Sequence, residues 1–159
     1  MMRKKTINKK GIVLVFAIYM VVLFVVLVLK FPTGMLEGAF KKIIAGEPLT
    51  RLEPQWIPFK TTIHYVSQAR SINDWFVKNL VCNVVMFMPF GFLIPWFSKW
   101  KGWKIIGAGC VLSITIEVLQ YVSALGQMDV DDVILNTLGA ALGYGVFCLQ
   151  NGFGIDCMT

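Results

Sequence analysis

The residues able to do chemistry in this chain are few and closely set. Glu117 is the one acid inside a long apolar run, and Ser113, Glu117 and Gln120 fall at i, i+4 and i+7. On a helix that spacing puts all three on one face. Asp129, Asp131 and Asp132 follow, so four of the nine acids lie within sixteen residues. Asn79 and Asn83 stand at i, i+4 in the preceding run, and Asp132, Asn136, Gly139 and Gly143 form a polar and small stripe in the next. A buried carboxylate in a membrane helix is costly and marks a functional site by default, and the third and fourth apolar runs hold no Lys or Arg across residues 105–125 and 133–149. In a reaction Glu117 would be the general base or a metal ligand. Asp129 and Asp132 would be metal ligands or the acid, with Asn83 and Asn136 orienting the substrate. Hard oxygen ligands suit Mg²⁺ or Ca²⁺, so a divalent cation on Glu117, Asp129 and Asp132 is one reading. The sequence offers no Ser–His or Cys–His arrangement near these acids, which argues against a covalent triad. A structural alternative stands beside these readings. Amides and Ser join helices by hydrogen bonds, Gly139-x-x-x-Gly143 packs helices closely, and Asp131 and Asp132 suit a helix N-terminus.

The elements that must position these groups are membrane helices. The chain has 159 residues, 57% hydrophobic and only 15% charged, against roughly 25% charged in ordinary soluble domains. That leaves too little charge for a soluble surface and argues for an all-α integral membrane protein embedded in a lipid bilayer. Apolar runs predict four transmembrane helices over about residues 11–29, 76–97, 105–125 and 133–149 of a single domain spanning 11–149. Residues 1–10 form a basic N-terminus and 150–159 a short tail. Pro89 is expected to kink the second helix. The cysteines Cys82, Cys110, Cys148 and Cys157 fit no zinc spacing and read as small apolar side chains rather than a disulfide framework. His64, in a polar stretch, reads as exposed or interfacial.

Charge sets the expected orientation. Five Lys or Arg occupy residues 1–10, and Lys99, Lys101 and Lys104 surround the tight loop between the second and third helices. Loop 126–132 has three Asp and neither Lys nor Arg. By the positive-inside rule both termini lie inside, with loop 126–132 and a first loop of about 45 residues outside. Trp96, Trp100 and Trp103 then mark the inner interface, and Trp56, Trp75 and Tyr121 the outer one. The net charge of +6 reports orientation and anionic lipid rather than nucleic acid. With a third helix ending near residue 125, Glu117 lies roughly 13 Å from its outer end. The polar groups therefore gather in the outer half. Above them, residues 54–62 contain two prolines, which preclude a regular helix. The segment is expected to dip back as a lid or re-entrant stretch, with a short interfacial helix over 61–74.

Three stretches resemble the VanZ-like family of small membrane proteins, whose founding member is associated with teicoplanin resistance. Trp56-Ile-Pro-Phe-Lys-Thr61 is similar to the family's N-x-I-P-F-x-T stretch, with Gln55 where Asn is usual. Asn79-Leu-Val-Cys-Asn-Val-Val-Met-Phe-Met-Pro-Phe-Gly-Phe-Leu93 resembles its N-x-x-x-F-x-P-F-G core. Ser113-Ile-Thr-Ile-Glu-Val-Leu-Gln120 with Asp129-Val-Asp-Asp-Val-Ile-Leu-Asn-Thr-Leu-Gly139 resembles its S-x-x-x-E-x-x-Q … D-x-x-D-x-x-x-N-x-x-G signature. The family often carries a basic residue just before the first Asp, where this chain has Gln127 and Met128. The resemblance implies four membrane helices and an envelope role in a bacterial plasma membrane. It supplies no reaction.

Three functions follow as expectations. The first is an envelope protein with an outward polar pocket binding a lipid, a lipid-linked cell-wall intermediate or a glycopeptide, which lowers susceptibility to teicoplanin-type drugs. Its ligand contacts would be Asn79, Asn83, Gln120, Asp131 and Asn136, with Trp56, Pro58 and Phe59 from the loop. The second is an outer-leaflet enzyme acting on a lipid-linked substrate through Glu117, Asp129 and Asp132. The third is a non-catalytic assembly subunit or small transporter, with homo-oligomers formed through Gly139 and Gly143.

Overall fold

The computed structural model describes residues 9–28, 35–49, 51–69 and 75–151, apart from the side chains of residues 35, 36, 75, 76 and 78. Arg3, Lys4, Lys5, the Trp75 side chain, Cys157 and most of the tail lie outside this set. Six helices run through the described chain: α1 (Lys9–Val28), α2 (Met35–Ala45), α3 (Lys60–Gln68), α4 (Trp75–Phe97), α5 (Gly102–Val122) and α6 (Val130–Gln150). Four are long and apolar enough to cross a membrane: α1, α4 from Asn79 to Phe97, α5 and α6. Helix α2 has no counterpart in the sequence reading. Its Glu37–Lys41 pair, 2.8 Å apart, is exposed. Helix α3 falls where a short helix over 61–74 is expected, but it runs from Lys60 and ends at Gln68.

The spans bury little and expose much. On α1, Leu14, Ile18 and Val21 are each more than half exposed. Val111 on α5 and Leu142 on α6 also face outward. Backbone polar groups satisfied within helices, wrapped in outward apolar side chains, are what a hydrocarbon solvent demands. The interior holds two small apolar layers. Leu23, Phe87 and Ile116 form one, and Phe90, Ile94, Ile105 and Ala140 the other.

Helices α4 and α6 make the closest pair because glycine lets their backbones touch. A Cβ added at Gly139 would stand 2.1 Å from the Val84 carbonyl oxygen, and one at Gly143 would stand 1.9 Å from that of Met88. Gly91 answers from α4, where a Cβ would fall 1.9 Å from the Ala140 carbonyl oxygen. The sequence reading had Gly139 and Gly143 join two copies of the chain; here they pack against α4 of the same chain. Both are buried inside one copy, so the small-residue stripe is already used.

Helix α4 continues through Pro89 and Pro95. Pro89 withholds an N–H from its turn, and in that turn the Tyr19 hydroxyl of α1 donates to the Met86 carbonyl at 2.7 Å. Cys82 and Cys110 are free thiols. Cys148 departs from the sequence reading: it is disulfide-bonded.

Candidate functional site

The acid-rich site forms where α5 ends and α6 begins, and its geometry starts with that turn. Helix α5 stops at Val122 rather than near residue 125. The Ala124 N–H donates to the Tyr121 carbonyl at 3.2 Å, and the Leu125 N–H donates to the Gln120 carbonyl at 3.1 Å. Ala124 takes the left-handed conformation, φ 54°. These are the bonds of a helix-ending motif that usually uses glycine at that position. Glu117 therefore lies only about 7 Å from the end of its helix, shallower than the sequence reading placed it. Helix α6 starts correspondingly early. Asp129 is its N-cap, accepting from the Asp131 N–H at 2.9 Å, and Asp131 and Asp132 sit in its first turn.

From this turn a chain of hydrogen bonds runs outward. The buried Glu117 carboxylate accepts the Asp129 N–H at 2.9 Å. Asp131 is 1% exposed, and its two oxygens accept the Phe59 N–H and, at 2.7 Å, the Thr62 N–H. Phe59 is the N-cap residue of α3 and Thr62 lies in its first turn. Asp131 thus caps α3 from another helix, supplying an anion to N–H groups that the sequence around Phe59 leaves without a side-chain cap. Two backbone bonds extend the clamp. Gln55 N–H donates to the Met128 carbonyl at 2.8 Å and Val130 N–H to the Gln55 carbonyl at 3.1 Å, pairing Gln55 with Asp129 as a parallel bridge. Gln127 adds a side-chain bond to the Glu53 carbonyl at 2.7 Å.

The remaining polar groups tie the helices below. Asn83 of α4 donates to the Asp132 carboxylate. Asn136 donates to the Ser113 hydroxyl at 2.9 Å, and Gln120 donates to the Leu27 carbonyl of α1 at 2.8 Å. The buried Gln120 Oε1 and Asn136 Oδ1 accept no hydrogen bond. Ser113, Glu117 and Gln120 are all buried on one face of α5, as their spacing predicts.

The predicted site residues divide accordingly. Glu117, Asp129, Asp131, Asp132 and Asn83 come together around one turn. Gln120, Ser113 and Asn136 lie on the inward-facing sides of α5 and α6. Asn79 is half-buried, one helical turn beyond Asn83. Pro58 is exposed, and Trp56 and Phe59 are 64% and 53% exposed, so the loop meets the acids with its backbone and turns these side chains outward. Sequence reasoning missed Gln55, Thr62 and Tyr65 as partners of the acids. Burial, then the nearby Asp132 and Asp129 carboxylates, push the Tyr65 phenol above its ordinary range. Thr62 and Gln55 act through backbone atoms, which leave no mark in a sequence.

The divalent-cation reading finds no support in this geometry. Among the described residues no three His, Cys, Asp or Glu side chains are grouped to hold a metal. The physical reason is that Glu117, Asp129 and Asp131 turn oxygens to N–H donors. A cavity of about 310 Å³ opens beside the turn, lined by Lys42, Leu49, Leu52, Ala124, Leu125 and Gly126, while those of about 470 and 270 Å³ open elsewhere, and none of the three is lined by Glu117, Asp129, Asp131 or Asp132.

Fold and site together define a multi-pass α-helical membrane protein whose acids are concentrated at one end of the bundle. Residues 16–151 match the family described as VanZ/LLP1, and the chain belongs to that family. It is 37% identical over 75 residues to Protein VanZ of Enterococcus faecium, a stretch that covers 46% of this chain and 47% of the relative. The match thus spans about half the length of that curated relative. No solved structure matches the chain.

Proposed function

We propose that this protein is an envelope component of the bacterial plasma membrane that binds an acyl-tailed amphiphile at its acid-rich end and lowers susceptibility to teicoplanin-type lipoglycopeptides. In this reading both termini face the cytoplasm and the acid-rich end faces out, in line with the positive-inside rule. The observation that carries the reading is the strap of residues 55–62. Backbone bonds hold it onto α6, while Trp56, Ile57 and Phe59 stand 64%, 60% and 53% exposed. Fixed aromatic and aliphatic groups at the headgroup level form a ready surface for an acyl tail or a glycolipid face. The carboxylates beneath serve to fix that surface. Glu117 and Asp131 accept backbone N–H groups, which suits a binding scaffold better than a reacting base. The family membership and the similarity to Protein VanZ support the envelope and glycopeptide association.

The test is expression in a glycopeptide-susceptible Gram-positive host. Tolerance to teicoplanin should rise, tolerance to a glycopeptide without an acyl tail should rise less, and Trp56→Ala with Phe59→Ala should remove the gain while the protein stays in the membrane. Unchanged teicoplanin tolerance with the wild-type chain would overturn the drug reading.

A further inference from the structure

The opposite end of the bundle carries a second feature, independent of the acid-rich site. A cavity of about 470 Å³ opens there between the α4–α5 turn and α6, lined by Ser98, Lys99, Lys101, Tyr144 and Phe147. On the other side of the same turn a wholly apolar groove of about 270 Å³ runs between α1, α4 and α5, lined by Phe16, Met20, Ile94, Ala108 and Leu112. Ser98 and Trp100 line both. The two spaces therefore adjoin, one with two ammonium groups and hydroxyls, the other with an apolar surface.

We infer that these joined spaces form one site for an anionic phospholipid, with its phosphate headgroup in the Lys99–Lys101 cavity and an acyl chain in the apolar groove. Charge complementarity selects the headgroup. Lys99 and Lys101 are exposed and have no acidic neighbour in the tight turn from Phe97 to Gly102. Ser98 and Tyr144 add hydroxyl donors suited to phosphate oxygens. Trp100 stands between the two spaces, where an amphipathic ring fits the boundary between headgroup and chain. The groove's apolar lining, which includes the Phe16 and Phe97 rings 5.2 Å apart, has no use for a free phosphate. The shape and charge together call for an amphiphile.

The experiment uses the full chain in detergent, with equal amounts of dioleoyl phosphatidylglycerol and dioleoyl phosphatidylcholine, read by native mass spectrometry. Wild type should retain the phosphatidylglycerol preferentially. A surface lysine near anionic lipid contributes roughly a fivefold preference, so Lys99→Gln with Lys101→Gln should lower the ratio about 25-fold. Lys9→Gln with Lys10→Gln, at the N-terminus of α1 and outside both linings, should leave it nearly unchanged. Dioctanoyl phosphatidylglycerol should be held more weakly than the dioleoyl form, and Ala108→Phe should narrow that difference. Glycerol phosphate should displace the lipid only in large excess. Retained preference in the Lys99/Lys101 variant overturns the headgroup assignment, and an equal loss in the Lys9/Lys10 variant reduces it to diffuse charge. Displacement by equimolar glycerol phosphate, or equal retention of both chain lengths, overturns the groove as the chain's seat.

Discussion

Removal of the Asp131 carboxylate should release the strap while the helical bundle stands. Asp131 is 1% exposed and accepts two backbone N–H groups, from Phe59 and Thr62. A hydrogen bond to a charged group contributes about 1.5–3 kcal/mol, so the pair gives about 3–6 kcal/mol. In the released state water takes over both N–H groups and the lower figure applies. Phe59 adds strain of its own, because it is a bulky residue at φ 64°, a conformation that persists only when its surroundings hold it. Asp131→Ala should therefore favour local opening by about 3 kcal/mol, or roughly 150-fold in population. Hydrogen exchange of the Phe59 and Thr62 amides reads this directly, since those two N–H groups are the donors. Their protection should fall by about that factor. The amides of α4 and the middle of α6 should keep theirs. Asp131→Asn retains one good acceptor and should lose about half as much free energy, roughly a tenfold effect. Unchanged exchange at Phe59 and Thr62 in the alanine variant would refute the clamp. Equal acceleration throughout α4 and α6 would refute its local character.

Gly143→Ala puts a methyl within the Met88 backbone and should destabilise the bundle by several kcal/mol, as in overpacked cores at about 1–3 kcal/mol or more, whereas Gly145→Ala, which meets open space, should be near neutral. Thermal unfolding in detergent compares them. Ser113→Ala strands the Asn136 amide and should cost about 1–2 kcal/mol, with Ser113→Ala plus Asn136→Leu recovering part of that loss in a double-mutant cycle. Tyr65 should ionise above 10.0, the ordinary tyrosine value, and Asp132→Asn should bring it back toward that value in an ultraviolet titration. The sign follows from the raised folded value: the stability linked to Tyr65 is fully present below the unfolded pKa and is lost as pH rises through the folded one.

The spans were legible because the property that makes them is compositional. A run of Val, Leu, Ile and Phe long enough to cross a bilayer needs no tertiary information. The α5 face was legible for a similar reason, since Ser113, Glu117 and Gln120 share a helical period. The turn after α5 was not. Its stop uses Ala124 in a conformation that glycine would have advertised, so the apolar pattern through Leu125 read as more helix. That difference of three residues placed Glu117 several ångströms deeper. Asp129 was read as a loop acid for the same reason, although it caps α6. The strap was harder still. Its two prolines showed where a helix could not be, but its attachment runs through the backbone of Gln55, Phe59 and Thr62, and backbone donors look alike in every sequence. Gly139 and Gly143 marked a close helix contact correctly in kind. That they meet α4 of the same chain depends on folding the whole bundle.

The attachment of the strap bears on how a ligand would be recognised at this end. A lid that opens over a pocket needs weak, few or exposed closing contacts, because opening must cost little. Here the strap is held by the Gln55–Met128 and Val130–Gln55 backbone bonds and by both oxygens of the buried Asp131. Those oxygens belong to the first turn of α6, and the Asp129 cap just before it binds Glu117 of α5 through its own N–H. Opening would break these four bonds together. N–H donors and the N-terminus of α6 face the Glu117, Asp129 and Asp131 carboxylates and offset their mutual repulsion. Four acids arranged in this way act as a bracket. The groups left for a ligand are those the bracket presents, Trp56, Ile57 and Phe59 outward, with half-buried Tyr65 and Asp132 at its edge. If the proposed ligand binds at this end, its contacts fall on the outer surface of the strap, and substitutions there should alter binding without altering the fold, while substitutions at Asp131 or Glu117 should alter both.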